Sequence, residues 1–476
     1  MKVKYKILYI FFITGFILAF NQEIIANDKN IPPQDLEYLE GVYKATFEGI
    51  KFFVHPKSSL PYDVNNFKKE TSTTNIGLYI ASVAVASKTK LIPNTEAIKM
   101  IELALNSLEK IERWRGFPVD WVNIASLKPA YGPTYSYADQ TGNLLLGLIT
   151  VAGIFPEEFG PKIDSYIESM DFRATYDPST AWLKGGYNII KKDFVIKQHW
   201  GRRYHNLLAG DTRSFSLIGI ALGQIPGKHW EMLNRDRTPW GKLDWEMALS
   251  LFPDKVNNMP YYSPGMEGGG LFMQYLPGIF LNEKALPLEI SARNFSQSQI
   301  EYSRKKDYYP FWGISSCETP DGKSYIGWGN LKENVVTPHA VVLAIENHPN
   351  EVLEALRMLE RKGARALYKN KYDFGFTDSY DFKSEKASKN YLVLDQCMLF
   401  LSLANYLCDD TVRKSFDSHP IGHKVNETEN RLEKGKDSLA EIGAIPKRGA
   451  LHVNIGEGKI GTAVPILLRM RERGRS

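Results

Sequence analysis

The apolar positions of this chain recur mostly at helical spacing. Within residues 95–112, Ile98, Ile101, Leu105 and Leu108 fall three and four apart, which predicts an amphipathic helix. Pro93 and Asn94 stand just before it, where a helix start belongs. Residues 75–87 (NIGLYIASVAVAS) are apolar or small all round, the pattern of a helix packed on several sides. The same reading predicts helices over 36–53, 139–153, 160–169, 204–223, 337–347, 349–364 and 391–408. Alternating, strand-like runs are few, and there is no tandem repeat.

The predicted helices come in pairs. Between them run long linkers at 114–137, 172–203, 224–246, 256–279 and 307–336. Linkers of this length are functional or disordered. Their Trp, Tyr and Gly content disfavours disorder, and all nine Trp lie between Trp114 and Trp328. The expected fold class is therefore all-α, an (α/α) toroid of paired helices whose aromatic-rich loops form a cleft.

The two ends differ from this body. Lys2, Lys4 and Lys6 precede the apolar run Ile7 to Phe20, the layout of a secretory signal. The run is shorter than the roughly 20 residues that a spanning helix needs. We expect residues 1–26 to be a signal ending near Ala26, which makes the mature protein exported, periplasmic or secreted, with no stable membrane span. Residues 431–476 read as a basic tail or strap, which leaves 27–430 as the main domain.

Composition narrows the function. The formal net charge of +5 falls to +3 when three Lys and one Glu leave with the signal, too little for a nucleic-acid partner. Three Cys make no disulfide framework. Nine His are scattered, so no metal is expected, and no phosphate loop or dinucleotide fingerprint calls for a cofactor. The oligomeric state is left open.

The linkers instead bring carboxylates beside aromatics, a combination suited to an oligo- or polysaccharide. Aromatic faces stack on sugar rings, and paired carboxyl groups are what glycoside hydrolysis needs. Asp139 follows Tyr131, Tyr135 and Tyr137 at a predicted helix start, where an N-cap is the competing role. Asp211 lies in the apolar stretch LLAGDTRSFSLIGIALG with Arg213 close by, so a buried ion pair competes. Glu267 sits in the flexible SPGMEGGG. Asp378 follows YDFGF, and Asp395 is flanked by apolar residues in YLVLDQCMLF. Glu318 in SSCETPDG is a weaker acid candidate. Trp121 and Trp312 offer stacking faces. His229 in PGKHWEML reads as a packed structural residue.

These segments, in this order, resemble the glycoamylase-like domain of bacterial cyclic β-1,2-glucan synthases and its endo-β-1,2-glucanase relatives. The resemblance runs from about Thr71 to His419. It is carried by TSTTNIGLYIAS (71–82), RGFPVDW (115–121), YSYADQTGNLL (135–145), GGYN (185–188) and YHNLLAGDTRSFSLIGIALGQIPGKHW (204–230). It continues through GLFMQYLP (270–277), FWGISS (311–316), VVTPHAVVLAI (335–345), FGFTDSYDF (374–382) and YLVLDQCMLFLSLANYL (391–407). It implies an (α/α)6 toroid, or six-hairpin barrel, and a glycoside hydrolase acting on a β-glucan. Asp139, Asp378 and Asp395 match cleft carboxylates of that family.

Three positions depart from the family pattern. Gly210-Asp211-Thr212-Arg213 stands where the family has Ser-Glu-Ala-Arg, whose Glu is the implied general acid. Gln274 replaces a Glu, and Ser316 stands where the synthases carry Glu, with Glu318 two residues on. The expected mechanism is inverting, with Asp211 as acid and Asp378 as base. Asp139, Asp395, Glu267, Tyr137, Trp121, Arg213, Trp312 and Glu318 would bind sugar. The competing readings are a noncatalytic glycan binder on the same scaffold, and a polysaccharide lyase using groups such as Tyr204 and His205.

Overall fold

Proline and small polar caps set where the helices begin. A computed structural model of the chain describes residues 31–131, 134–136, 140–194, 204–233, 270–284, 286–327 and 331–440. Six of its helices open on Pro, whose missing N–H costs nothing in a first turn. They are α1 (Pro33–Phe52), α5 (Pro156–Glu168), α9 (Pro287–Lys305), α10 (Pro338–Leu343), α11 (Pro349–Arg361) and α14 (Pro420–Ala440). The others are α2 (Thr73–Lys88), α3 (Asn94–Leu108), α4 (Gln140–Ile154), α6 (Arg213–Ala221), α7 (Lys228–Met232), α8 (Leu271–Tyr275), α12 (Val393–Leu407) and α13 (Thr411–Ser418). Ser72 caps α2 by accepting from the Asn75 amide at 3.1 Å.

The pairing expected from the sequence is present. In α2/α3, α4/α5, α10/α11 and α12/α13 the first helix is buried on nearly every side, and the second buries one stripe. Neighbours among the first helices run α12–α2–α4–α6 and α8–α10–α12. Arg213 of α6 joins the two runs by donating to the carbonyls of Met273 and Gln274 in α8. The α2–α4 contact depends on glycine. A Cβ on Gly147 would lie 2.0 Å from the Gly77 carbonyl oxygen, so these backbones approach only because both positions lack side chains.

An all-α description needs amending, because the linkers form fifteen short strands among the described residues. Strand β1 (Glu70–Ser72) pairs antiparallel with β4 (Trp121–Asn123), Ser72 opposite Trp121. Strand β11 (Cys317–Glu318) pairs with β12 (Tyr325–Ile326), and β13 (Val335–Val336) with β14 (Tyr380–Asp381). These ribbons fix the residues at the helix ends.

One helix starts well after its expected position, and two long helices escape the periodicity. The helix predicted over 204–223 starts only at Arg213. Tyr204–His205 instead forms strand β10 on β7 (Trp182–Lys184), and Gly210-Asp211 turns the chain between them. The periodicity missed α9, because its buried face carries Ser291, Ser296, Ser298 and Ser303 among few large apolar side chains. It also missed α14, read as a charged tail, whose Glu429 and Glu433 are buried.

His229 is the structural residue expected. Its Nδ1–H donates to the Ala181 carbonyl and its Nε2 accepts from Ser216, both at 2.8 Å, and burial lowers its pKa to about 4. All three Cys are free thiols. Two compact units divide the chain, residues 1–433 and 434–476. The expected signal, Tyr137, Asp139, Glu267 and the tail beyond residue 440 lie outside the described residues.

Candidate active site

Two groups of buried carboxyls lie at the ends of the first helices. Asp211 is on the turn entering α6. Its Oδ2 accepts from Asn143 Nδ2 of α4 at 2.9 Å, and Asn143 in turn reaches Thr74 Oγ1 of α2. Three consecutive helix pairs therefore position one carboxyl. The β1–β4 ribbon sets Trp121 beside the start of α2, and Trp121 meets the exposed Tyr131 edge-on at 5.6 Å.

The second group gathers Asp378, Asp395, His339 and Glu318, none more than 6% exposed. Asp378 stands just before β14. Its Oδ2 accepts from the Glu318 amide of β11, and its carbonyl accepts from the Thr337 hydroxyl at 2.6 Å. Asp395 is in the first turn of α12, where the helix dipole favours an anion. His339 in α10 brings Nδ1 to 3.0 Å from Asp395 Oδ2.

Burial pushes the pKa of Asp378 well above the ordinary Asp value, and the charge of Asp395 raises it further. Burial likewise raises Asp395, against a hydrogen bond with Asp378 that lowers it. Burial lowers His339 to about 4, so it is neutral at pH 7. Among the described residues, only His339, Asp378 and Asp395 bring three such donor atoms within 4.8 Å of one another. His339 Nδ1 also lies 2.7 Å from the Thr337 hydroxyl.

Sequence reasoning missed Asp63. It is half-buried, accepts from Asn75 Nδ2 at 2.8 Å, and its pKa is pushed up to about 7, by desolvation first and then by Glu70 and Glu318. Its carbonyl takes the Val393 amide at the start of α12, tying it to the Asp395 helix. His339 was also passed over, although an ionisable residue inside the apolar VVTPHAVVLAI is the same signal that marked Asp395.

Three expected sugar ligands are buried in the interior. Arg213 is 1% exposed. Its Nε and Nη2 form a fork on Glu283 at 2.7 and 2.9 Å, and its remaining donors serve the Gly210, Met273 and Gln274 carbonyls. It braces the turn that carries Asp211, and its buried ion pair is with Glu283. Trp312, 2% exposed, is enclosed in the main core and offers no face to a sugar. Glu318 is buried and contributes its backbone amide to Asp378. Tyr204, a candidate for lyase chemistry, donates to Asp177 at 2.6 Å and helps lower that carboxyl to about 2.

Comparison with known proteins agrees with this architecture. Residues 255–420 match the Glycoamylase family model, described as "Putative glucoamylase". The chain is 25% identical over 276 residues to the cyclic beta-(1,2)-glucan synthase of Rhizobium meliloti, covering 53% of this chain and 9% of the synthase. It thus spans about a tenth of that relative's length.

Its fold is shared with solved glucanases. An endo-beta-1,2-glucanase from Chitinophaga pinensis, in complex with sophorotriose and glucose, superposes with a TM-score of 0.66 at 15% identity, over 82% of this chain and 96% of that one. A beta-1,2-glucanase from Parabacteroides distasonis gives 0.69 at 15%, over 85% and 61%. An endo-beta-1,2-glucanase from Talaromyces funiculosus, bound to beta-1,2-glucan, gives 0.60 at 14%, over 85% and 91%. By its family match, its homology to a glucan synthase and its fold, this chain is similar to the glycoamylase-like domain family.

Proposed function

We propose that this protein is an exported glycoside hydrolase cleaving a β-1,2-glucan or a related bacterial polysaccharide, on an (α/α)6 toroid. The observation that carries the reading is the pair of buried carboxyl sites, Asp211 and Asp378, in a fold shared with β-1,2-glucanases. The ring of first helices closed through Arg213 supports the toroid.

In the proposed reaction Asp211 protonates the departing glycosidic oxygen. Asp378 takes a proton from the water that attacks the opposite face of the sugar, which inverts the anomeric centre. Asn143 orients Asp211, and Arg213 holds its turn from behind. Trp121, together with Tyr137, Asp139 and Glu267 of the linkers, would form the sugar subsites. Export would follow from residues 1–26, and no cofactor is needed.

Purified residues 27–476 incubated with linear and cyclic β-glucans and envelope polysaccharides, with products read by mass, test this reading. Hydrolysis of a β-1,2-linked glucan, lost in Asp211→Asn, is the expected result. Saturable binding without cleavage would establish a glycan binder instead. Unsaturated product ends would establish a lyase.

A further inference from the structure

Asp63 has no part in the proposed reaction, yet it joins three of the elements around the site. It lies in the loop between α1 and β1. Its amide donates to the Glu70 carbonyl of β1 at 3.0 Å, so the loop runs on into the ribbon that sets Ser72 opposite Trp121 of β4. Its carbonyl accepts from the Val393 amide at 2.9 Å, two residues before Asp395 in α12. Its Oδ1 accepts from Asn75 Nδ2 of α2 at 2.8 Å. The hydroxyl of Thr74, next to Asn75, accepts from Asn143 Nδ2, the amide that also holds Asp211. Asp63 is therefore tied to the Asp211 group through α2 and to the Asp395 helix through its own backbone.

Access sets it apart from those acids. Asp211, Glu318, Asp378 and Asp395 are buried, whereas Asp63 keeps part of its surface open. Its Oδ2 accepts from no donor among the described residues. Unlike Asp378 Oδ1 and both Asp395 oxygens, it is not sealed inside the protein. Asn75, which fixes Oδ1, is itself buried, and its own amide is capped by Ser72. One oxygen is thus held and the other is left for a ligand. A carboxylate fixed in this way is a pre-oriented acceptor for a ring hydroxyl, with little side-chain freedom left to lose on binding.

We infer that Asp63 is a substrate-binding residue: its Oδ2 accepts a hydrogen bond from a ring hydroxyl of a glycan lying across the Asp211 and Asp378 groups. The inference rests on the glycan-binding part of the proposed function and not on cleavage. A sugar hydroxyl has one hydrogen to donate, so a fixed acceptor selects the ring orientation that aims a hydroxyl at it. The charged groups facing Asp63 are Lys68 and Glu70 near it in the chain, Glu318 of β11 and Asp395 of α12. Burial first, and then the charges of Glu70 and Glu318, hold its pKa at about 7. A hydroxyl donor favours the ionised form, so glycan binding near pH 7 should release protons from Asp63.

The test is calorimetric titration of residues 27–476 with linear β-1,2-glucan, in an Asp211→Asn background so that turnover does not disturb the reading. Asp63→Asn keeps an oxygen for Asn75 and turns the free acceptor into a donor. Affinity should fall about 10-fold or more in that variant, the scale of a lost hydrogen bond to a charged group. With Asp63 in place, binding should tighten from about pH 6 to about pH 8 and release protons at pH 7, and the variant should do neither. If Asp63→Asn fails to fold, the proton release alone decides. Unchanged affinity in Asp63→Asn, with or without a lower Tm, overturns the inference, as does binding without proton release when Asp63 is present. Binding that depends on Asp63, in a wild type that never cleaves, supports the inference and overturns the hydrolase reading. Cleavage with binding indifferent to Asp63 does the reverse, and a chain that neither binds nor cleaves any glucan overturns both.

Discussion

Replacing Arg213 distinguishes a brace from a sugar ligand. Its fork on Glu283 is buried on both sides, and α14 adds two more buried acids to the same region. Burial and then the charge of Glu283 raise the pKa of the Glu429 carboxyl well above its ordinary value, while Glu433 accepts from Trp230 Nε1 at 2.6 Å. Arg213→Met removes the cation that pairs with Glu283. Breaking such a pair on one side typically costs about 3–5 kcal/mol. At roughly 2.1 cal/mol/K per residue, the unit of 433 residues unfolds with an entropy of about 0.9 kcal/mol/K, so Tm should fall by ~3–6 °C. Differential scanning calorimetry at pH 7 reads this directly. Arg213→Met combined with Glu283→Leu should recover part of the loss, because no unpaired acid remains at that position. A Tm within about 1 °C of wild type, with glucan affinity reduced, would refute the brace and restore Arg213 to the cleft.

Two further variants probe the scaffold. Gly147→Ala places a methyl against the Gly77 backbone and should cost about 1–3 kcal/mol by overpacking, whereas Gly160→Ala, with open space around it, should leave Tm unchanged. Equal Tm values for the two would contradict the close α2–α4 approach. Glu429 has a folded pKa raised above its ordinary 4.5, so the stability it contributes is full below that value and is lost as pH rises toward the folded pKa. Glu429→Gln mimics the protonated form and should flatten the fall of Tm between pH 5 and pH 8; parallel curves for variant and wild type would contradict the assignment.

Much of the scaffold was legible because its first helices are apolar on every side, as in NIGLYIASVAVAS of α2 and YLVLDQCMLFLSLANYL around α12. A carboxylate inside such a run has few reasons to be there, and that signal marked Asp211 and Asp395, both of which the fold buries. It was silent for α9, whose buried stripe is serine, and for α14, whose acids face Arg213 and Trp230 from outside the local sequence. Asp63 was invisible for a related reason. Its raised proton affinity comes from burial and then from the charges of Glu70 and Glu318, an environment that only the fold assembles. Arg213 shows the converse: its nearness to Asp211 in sequence suggested a shared task at the substrate, while its partner lies 70 residues away.

The most direct measurement is release of reducing ends from linear β-1,2-glucan by the wild type, Asp211→Asn and Asp378→Asn, all confirmed folded by calorimetry. The account predicts turnover by the wild type and a loss of about 100-fold or more in each variant, the scale of one acid or base contribution. A folded wild type that leaves every glucan intact, or variants that cleave as fast as the wild type, would contradict it.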